Sequence, residues 1–445
     1  MGYEPPIRWD IVEEHLDEAA FLYQLWEQSL RSPKYTLREI AEGPEERMLA
    51  HLDGLVVGGS RVAQKLLIPS LASDEPGLVF AAAYALLASE DGDFLAPVLE
   101  ALTRVEPEPK ASLLRAMELV PGARLEIRWV ELAAERGPLQ ADLALVLVAR
   151  GVDPGQSLDS LAGSSDTALR TRVLQLGPRV PGCLTLARVE EALSSPDELV
   201  RSAALTAAAL LRARNSAPVI RETVKELGTG FASAAVLLAL SGDESAVAAL
   251  VPALRVPTRA ADAALALGFT GRTTAVDVLV SLLDDAKLAA LAAESISAIT
   301  GVPIAKELSR PPSPWDPDQE DDGDVPSAPE VDLPQPEPAA LRSWWKTHAP
   351  SLDRRGRLVG GLPHGAEQVL RALESGPANR RHWLAVDLAM RLSRAHVLTA
   401  DALSARQRAE LSSAGRLPAP TRVGGTSGPV PFERPGYSQS GPSTR

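Results

Sequence analysis

The sequence predicts an all-α solenoid of helical hairpins, and three observations carry that prediction. Alanine and leucine dominate the apolar content: 45% of the 445 residues are apolar but only 4% are aromatic, a balance that favours helix over strand. A phrase then recurs, with VLLALSGDESAVAALVPAL (236–254) followed closely by AALALGFTGRTTAVDVLVSLL (263–283). Each copy reads as the end of an alanine-rich helix, a glycine-bearing turn, and V-x-x-L-V-x-x-L. Finally, the phrase has a period. Taking Leu87, Val120, Val148, Leu176, Leu211, Leu240, Leu267 and Ile299 as anchors, the separations are 33, 28, 28, 35, 29, 27 and 32 residues. About 30 residues is what two short helices and two turns consume.

Within a copy, apolar residues at i, i+3, i+4 and i+7 make one helical stripe, as at Val247, Leu250, Val251 and Leu254. A lone hairpin cannot bury that stripe, whereas stacked neighbours can, so the copies are expected to pile into a superhelix. Alanine lets successive helices approach closely, and SPDE, SGDE and GFTGRT supply Gly and Asp where the chain reverses.

The elements follow in order. Residues 1–72 read as an N-terminal helical cap. Val12, Leu16, Ala19, Ala20, Tyr23 and Trp26 make a long amphipathic helix that Pro33 ends. Thr36 and Glu39 form a T-x-x-E capping box for a short helix stopping by Gly43. Pro44, at a first helical position, opens another that reaches Gly58 and Gly59. Residues 73–304 are the repeats, about nine helix pairs giving a groove some 70–90 Å long. Residues 305–339 read as an acidic, proline-rich linker: between Ser309 and Pro338 there are nine prolines, and nine acids face one base. Such a stretch buries too little apolar surface to offset chain entropy and its charges repel. It is expected to be a plain tether, with Trp315 or Val331–Leu333 as an alternative docking point. Residues 340–415 form a small helical region opened by Trp344 and Trp345, and 416–445, rich in Gly, Pro and Ser, read as a disordered tail.

Composition narrows function by exclusion. The net charge of −13 includes −8 between Ser309 and Pro338, leaving −5 for the rest, which argues against a nucleic-acid binder. No apolar run approaches the roughly 20 residues of a membrane span. The opening MGYEPPIRWDIVEEH lacks a basic and then apolar leader. A cytoplasmic location with no membrane partner is therefore the expectation. The single cysteine, Cys183, allows no internal disulfide or cysteine metal cluster and is expected to be a buried thiol.

No catalytic, cofactor or metal residue is assigned. The six histidines are His15, His51, His348, His364, His382 and His396, so the repeat body has none. An iron site on a helical scaffold needs imidazole and carboxylate together, so a di-iron hydroxylase is excluded. His15 and Glu18, at i and i+3, could hold half a metal site, but read first as a solvated face. His51 and Asp53 lie about 200° apart on a helix and do not share a ligand, so a structural role is expected there. Gly-x-Ser fragments such as GSS (163–165) lack a nearby histidine, and neither a phosphate loop nor a dinucleotide fingerprint follows a strand. Arg201, Arg212, Arg214, Arg221 and Lys225 are interleaved with Glu198, Glu222 and Glu226, which fits salt-bridged faces better than a DNA grip.

Around AAVLLALSGDESAVAALVPAL the chain resembles the HEAT-like repeats, especially the short kind of the phycobilin lyases, over roughly Glu75 to Pro303. EEHLDEAAFLYQLW, SPKYTLREIAE and EERMLAHLDGL, with WWKTHAPSLDRRGRLVGGLPHGAEQVLRALESGPANRRHWLAVDLAMR, resemble a family of uncharacterised bacterial HEAT-like proteins. That likeness covers most of residues 7–413, with the acidic insertion and the tail as departures. The family often has several copies per genome, some near type VI secretion genes. The resemblance implies the fold and a possible accessory role, and carries over no functional residue. The function expected is a non-catalytic scaffold or adaptor holding a protein segment in the groove, with Arg201 and Arg221 contributing and no cofactor. The alternative is a HEAT-like lyase or small-molecule-binding protein.

Overall fold

The computed structural model describes residues 7–89, 94–135, 137–310, 333–392 and 398–415. It is an all-α solenoid of HEAT-like hairpins with an N-terminal helical cap and a C-terminal helical region. A two-residue ribbon, Leu358–Val359 paired with Leu362–Pro363, is the named sheet.

Every anchor residue falls in the last turn of an inner helix or just past its C-terminal end. These helices are Pro76–Ala88, Pro107–Leu119, Gln140–Ala149, Thr167–Leu176, Glu198–Leu210, Phe231–Leu240, Ala260–Thr270 and Ala289–Thr300. Each packs on the next, and each outer helix, such as Ser216–Glu226 or Thr273–Val280, packs on the inner helix that follows it. That makes seven hairpins among the described residues, preceded by Pro76–Ala88, rather than about nine. Local chemistry starts the helices as anticipated: the Asp197 carboxylate accepts from the backbone of Leu199 and Val200, and Asp166 from Ala168 and Leu169. Arginines just after the anchors reach back one repeat to carbonyl ends. Arg150 donates to the Val120 carbonyl (2.6 Å), Arg179 to Ala149 (3.4 Å) and Arg272 to Gly242 (3.2 Å), where cations also complement the helix dipole.

The cap's long helix, Trp9–Ser29, lies on Pro76–Ala88, with Tyr23 stacked on Phe80 at 3.7 Å between ring centroids. The Thr36–Glu39 capping box forms. Pro44 does not begin a separate helix. It sits inside a π-helical turn, Ala41–Glu45, that runs from Leu37–Ile40 into Glu46–Val57. The wider turn leaves room for the proline ring without breaking the rod.

The open groove is corrected by the C-terminal region. Its helices Pro338–His348, Ala366–Ser375, Ala378–Arg391 and Ser404–Ala414 do not form a separate body; they pack on the repeats and the cap, and most of their buried apolar residues share one core with those from Ala144 onward, while Ala378 joins the N-terminal core. The inner helix FASAAVLLAL (231–240) is buried on nearly every face for this reason. The region also reaches the cap. The Ala378 amide donates to the Tyr35 carbonyl (2.8 Å), and Thr36 bridges Pro377. The solenoid is thus closed by its own C-terminal helices.

The linker reading is also corrected at its ends. The Arg310 amide donates to the Gln335 carbonyl and the Glu337 amide to Leu308, both at 2.9 Å, beside a Ser309–Pro336 bridge. The acidic stretch therefore leaves and re-enters at one stem instead of tethering two bodies. Leu333 is buried in the core, so it is no exposed docking point. Trp315 and the rest of 311–332, His396 and the tail 416–445 lie outside the described residues.

Candidate functional site

The closure leaves a cavity of about 730 Å³ between the two ends of the chain's superhelix. Residues 33–36 of the cap form one wall. The last inner helix, with Ala290, Glu294 and Ala298, forms another, and the ribbon with helix Ala378–Arg391 completes it.

The ribbon is held by backbone. The Leu358 amide donates to Gly271 (2.7 Å), Gly360 to Ala298 (2.8 Å) and Gly361 to Ile299 (2.9 Å). Gly271 and Gly301 end their helices with φ of +66° and +76°, and a Cβ on either would lie 2.6 or 2.5 Å from a ribbon carbonyl oxygen. Both a left-handed cap and a close approach require glycine there.

From this ribbon Arg357 projects onto two successive helix ends. Its guanidinium donates to the carbonyls of Thr270 (2.9 Å), Phe269 (3.0 Å) and Leu240 (3.3 Å). Burial brings its pKa down to about 10. Arg391 donates to Leu240 as well (3.1 Å) and pairs with Asp387 at 2.8 Å. His364 faces the other oxygen of Asp387, Nε2 to Oδ2 at 2.7 Å. Burial pulls the imidazole below its ordinary value, only partly offset by Asp387. Burial alone would raise Asp387, but Arg391 and the His364 hydrogen bond hold it well below the usual carboxylate range. Two turns before Asp387 on the same helix, Arg380 pairs with Glu294 of the last inner helix, donates to Ser295 Oγ (3.1 Å) and lies over the Phe269 ring at 4.6 Å.

Chemically, this is a largely apolar space with a few fixed ion pairs in its walls. The His364–Asp387 pair orients an imidazole, as a general base requires. The hydrogen bonds of the described residues give His364 no serine, threonine or cysteine partner. None of these cavity residues was singled out from sequence as chemistry. His364 was noted only in the histidine census, and the charge density around it is that of the whole chain, so composition gave no signal.

The residues weighed from sequence fall elsewhere. Arg221 pairs with Asp243 (3.1 Å), and Arg201 donates to Thr223 at 3.4 Å; neither lines the cavity. Cys183 is buried, and burial raises its pKa to about 11. Asp53 is exposed and His51 half-buried. His15 and His51, which sequence considered apart, come together with Nδ1 atoms 3.0 Å apart. Among the described residues no group of three or more metal-ligating side chains is found, and no helix is long and apolar enough to cross a membrane.

No family model matches the chain, and no curated protein is similar to it. Among solved structures, the X-ray structure of YibA from Escherichia coli is similar over 67% of this chain and 98% of that chain, at 13% identity and a TM-score of 0.29.

Proposed function

We propose that the protein is a non-catalytic binding module, a self-closed solenoid that takes a small ligand between its two ends. The observation that carries this reading is that residues 33–36, the last inner helix and the C-terminal ribbon line one cavity of about 730 Å³. That size lies in the range of small-molecule sites, and an apolar lining with a few fixed polar groups is their usual make-up. A ligand bridging cap and last repeat would hold the ring shut.

The test is native mass spectrometry on protein purified gently from its own cells, beside an Ala298→Phe variant that fills the cavity from its wall. A bound mass in the first and its loss in the second support the reading. Ligand-free protein that no compound set stabilises against heat contradicts it.

A second reading keeps the adaptor, and one observation favours it. The repeat face does bind helices, namely Ala378–Arg391 and its neighbours from the same chain. A protein partner would then engage that face in exchange for the C-terminal helices. Whether the partner belongs to a secretion apparatus is implied only by the family resemblance. A stable complex formed by the full chain, with loss of hydrogen-exchange protection in 378–391, is its expected sign.

A further inference from the structure

The cap contains a pair of side chains that the cavity does not use. His15, on helix Trp9–Ser29, and His51, on helix Glu46–Val57, face each other across the contact between those helices. Their Nδ1 atoms are 3.0 Å apart, the ring centroids 5.0 Å, and the ring planes cross at 70°. Both rings are half-buried, so solvent reaches them.

The seat for one ring is built into the backbone. Gly54 lies inside helix Glu46–Val57, where glycine is less favourable than alanine. A Cβ at 54 would lie 2.9 Å from both Cδ2 and Nε2 of His15. The side chain missing at 54 is therefore the space that the His15 imidazole occupies, and Gly54 is also one turn from His51. Glycine here is spent on bringing two imidazoles together.

At 3.0 Å the two Nδ1 atoms share one hydrogen bond, one ring donating its proton and the other accepting. A metal ion can replace that proton. Two nitrogens each at about 2.0–2.1 Å from a metal and at right angles to one another are about 2.9 Å apart, whereas a tetrahedral ion separates them to about 3.3 Å. The observed 3.0 Å fits cis positions of a tetragonal ion. Tetragonal nitrogen sites suit Cu(II), which also stands highest among the divalent ions for such ligands. With no third ligand side chain grouped there among the described residues, solvent or a small ligand would complete the shell.

We propose that His15 and His51 form an open, two-imidazole site for Cu(II) on the N-terminal cap. The experiment titrates the full-length protein with Cu(II), read by calorimetry and by electron paramagnetic resonance. Alongside it run His15→Gln, His51→Gln and Gly54→Ala, each checked for folding by circular dichroism. The expected result is one tightly bound equivalent with hyperfine splitting from two nitrogens in a tetragonal spectrum. Each histidine variant should weaken binding at least tenfold, and Gly54→Ala should weaken it or change the spectrum by displacing His15. Copper bound equally well by the folded His15→Gln and His51→Gln proteins, meaning only adventitious histidines elsewhere, overturns the proposal. So does wild-type protein that binds no stoichiometric copper, or a spectrum with a single nitrogen, readings that need no variant to fold.

Discussion

Glu45, in the N-terminal cap, receives the start of the last described helix: the Ser404 amide donates to its carboxylate at 2.9 Å and the Ser404 hydroxyl at 2.5 Å. The other oxygen accepts from Trp26 Nε1 at 2.9 Å. A side chain 359 positions away thus satisfies the first backbone donor of helix Ser404–Ala414, a role that a local N-cap residue usually plays for the donors of its own helix. Glu45→Ala removes it and leaves buried donors unpaired. A loss of about 2–3 kcal/mol is expected in urea unfolding, and Ser404→Ala should lose less, because the backbone bond survives.

Arg357 joins two repeats at their carbonyl ends and has no carboxylate partner among the described residues. Arg357→Met keeps the bulk and removes the donors. Destabilisation of about 3 kcal/mol is expected from the buried carbonyls left behind. Arg357→Lys should recover little, since one ammonium cannot span two helix ends.

The His364–Asp387 pair gives stability a pH dependence. Both groups have folded values below their ordinary 6.5 and 3.8, so the unfolded chain binds more protons. Their contribution is complete above about pH 6.5, begins to fall as the unfolded imidazole takes up a proton, and falls again below about pH 4, where the unfolded carboxyl binds a proton that the folded Asp387 does not. Glu45, raised by burial, acts with the opposite sign above 4.5. The melting temperature should drop from pH 7.5 to 5.5, and that drop should shrink in His364→Asn and steepen in Glu45→Gln.

Cys183 is buried, with a thiol raised to about 11. Its reaction with a thiol reagent at pH 8 should be at least a hundredfold slower in the native protein than in urea. Reaction at the unfolded rate would contradict its placement in the core.

The repeats were legible because they are local: each anchor lies in or just past the last turn of an inner helix, and most turns carry their own Gly or Asp. A further signal lay unread in FASAAVLLAL, which has no polar face. An open solenoid leaves its inner wall wet, so an inner helix apolar all round implies a cover. What covers it was not readable, because Arg357 and Leu240, or Glu45 and Ser404, are joined by topology and not by spacing. His15 and His51 show the same limit, since each alone looks like a surface histidine. Pro44 was read as a helix start because the rule for prolines presumes α-helical geometry, which the π-turn at Ala41–Glu45 evades.

Hydrogen exchange resolved to single amides tests the closed ring most directly, at Ala378, Leu358, Gly360 and Gly361, whose acceptors all lie on the cap or the last two inner helices. The closed ring predicts that these four exchange as slowly as amides within Ala289–Thr300. Free exchange at all four, while that helix stays protected, would mean the C-terminal helices do not sit on the repeats and the cavity does not exist.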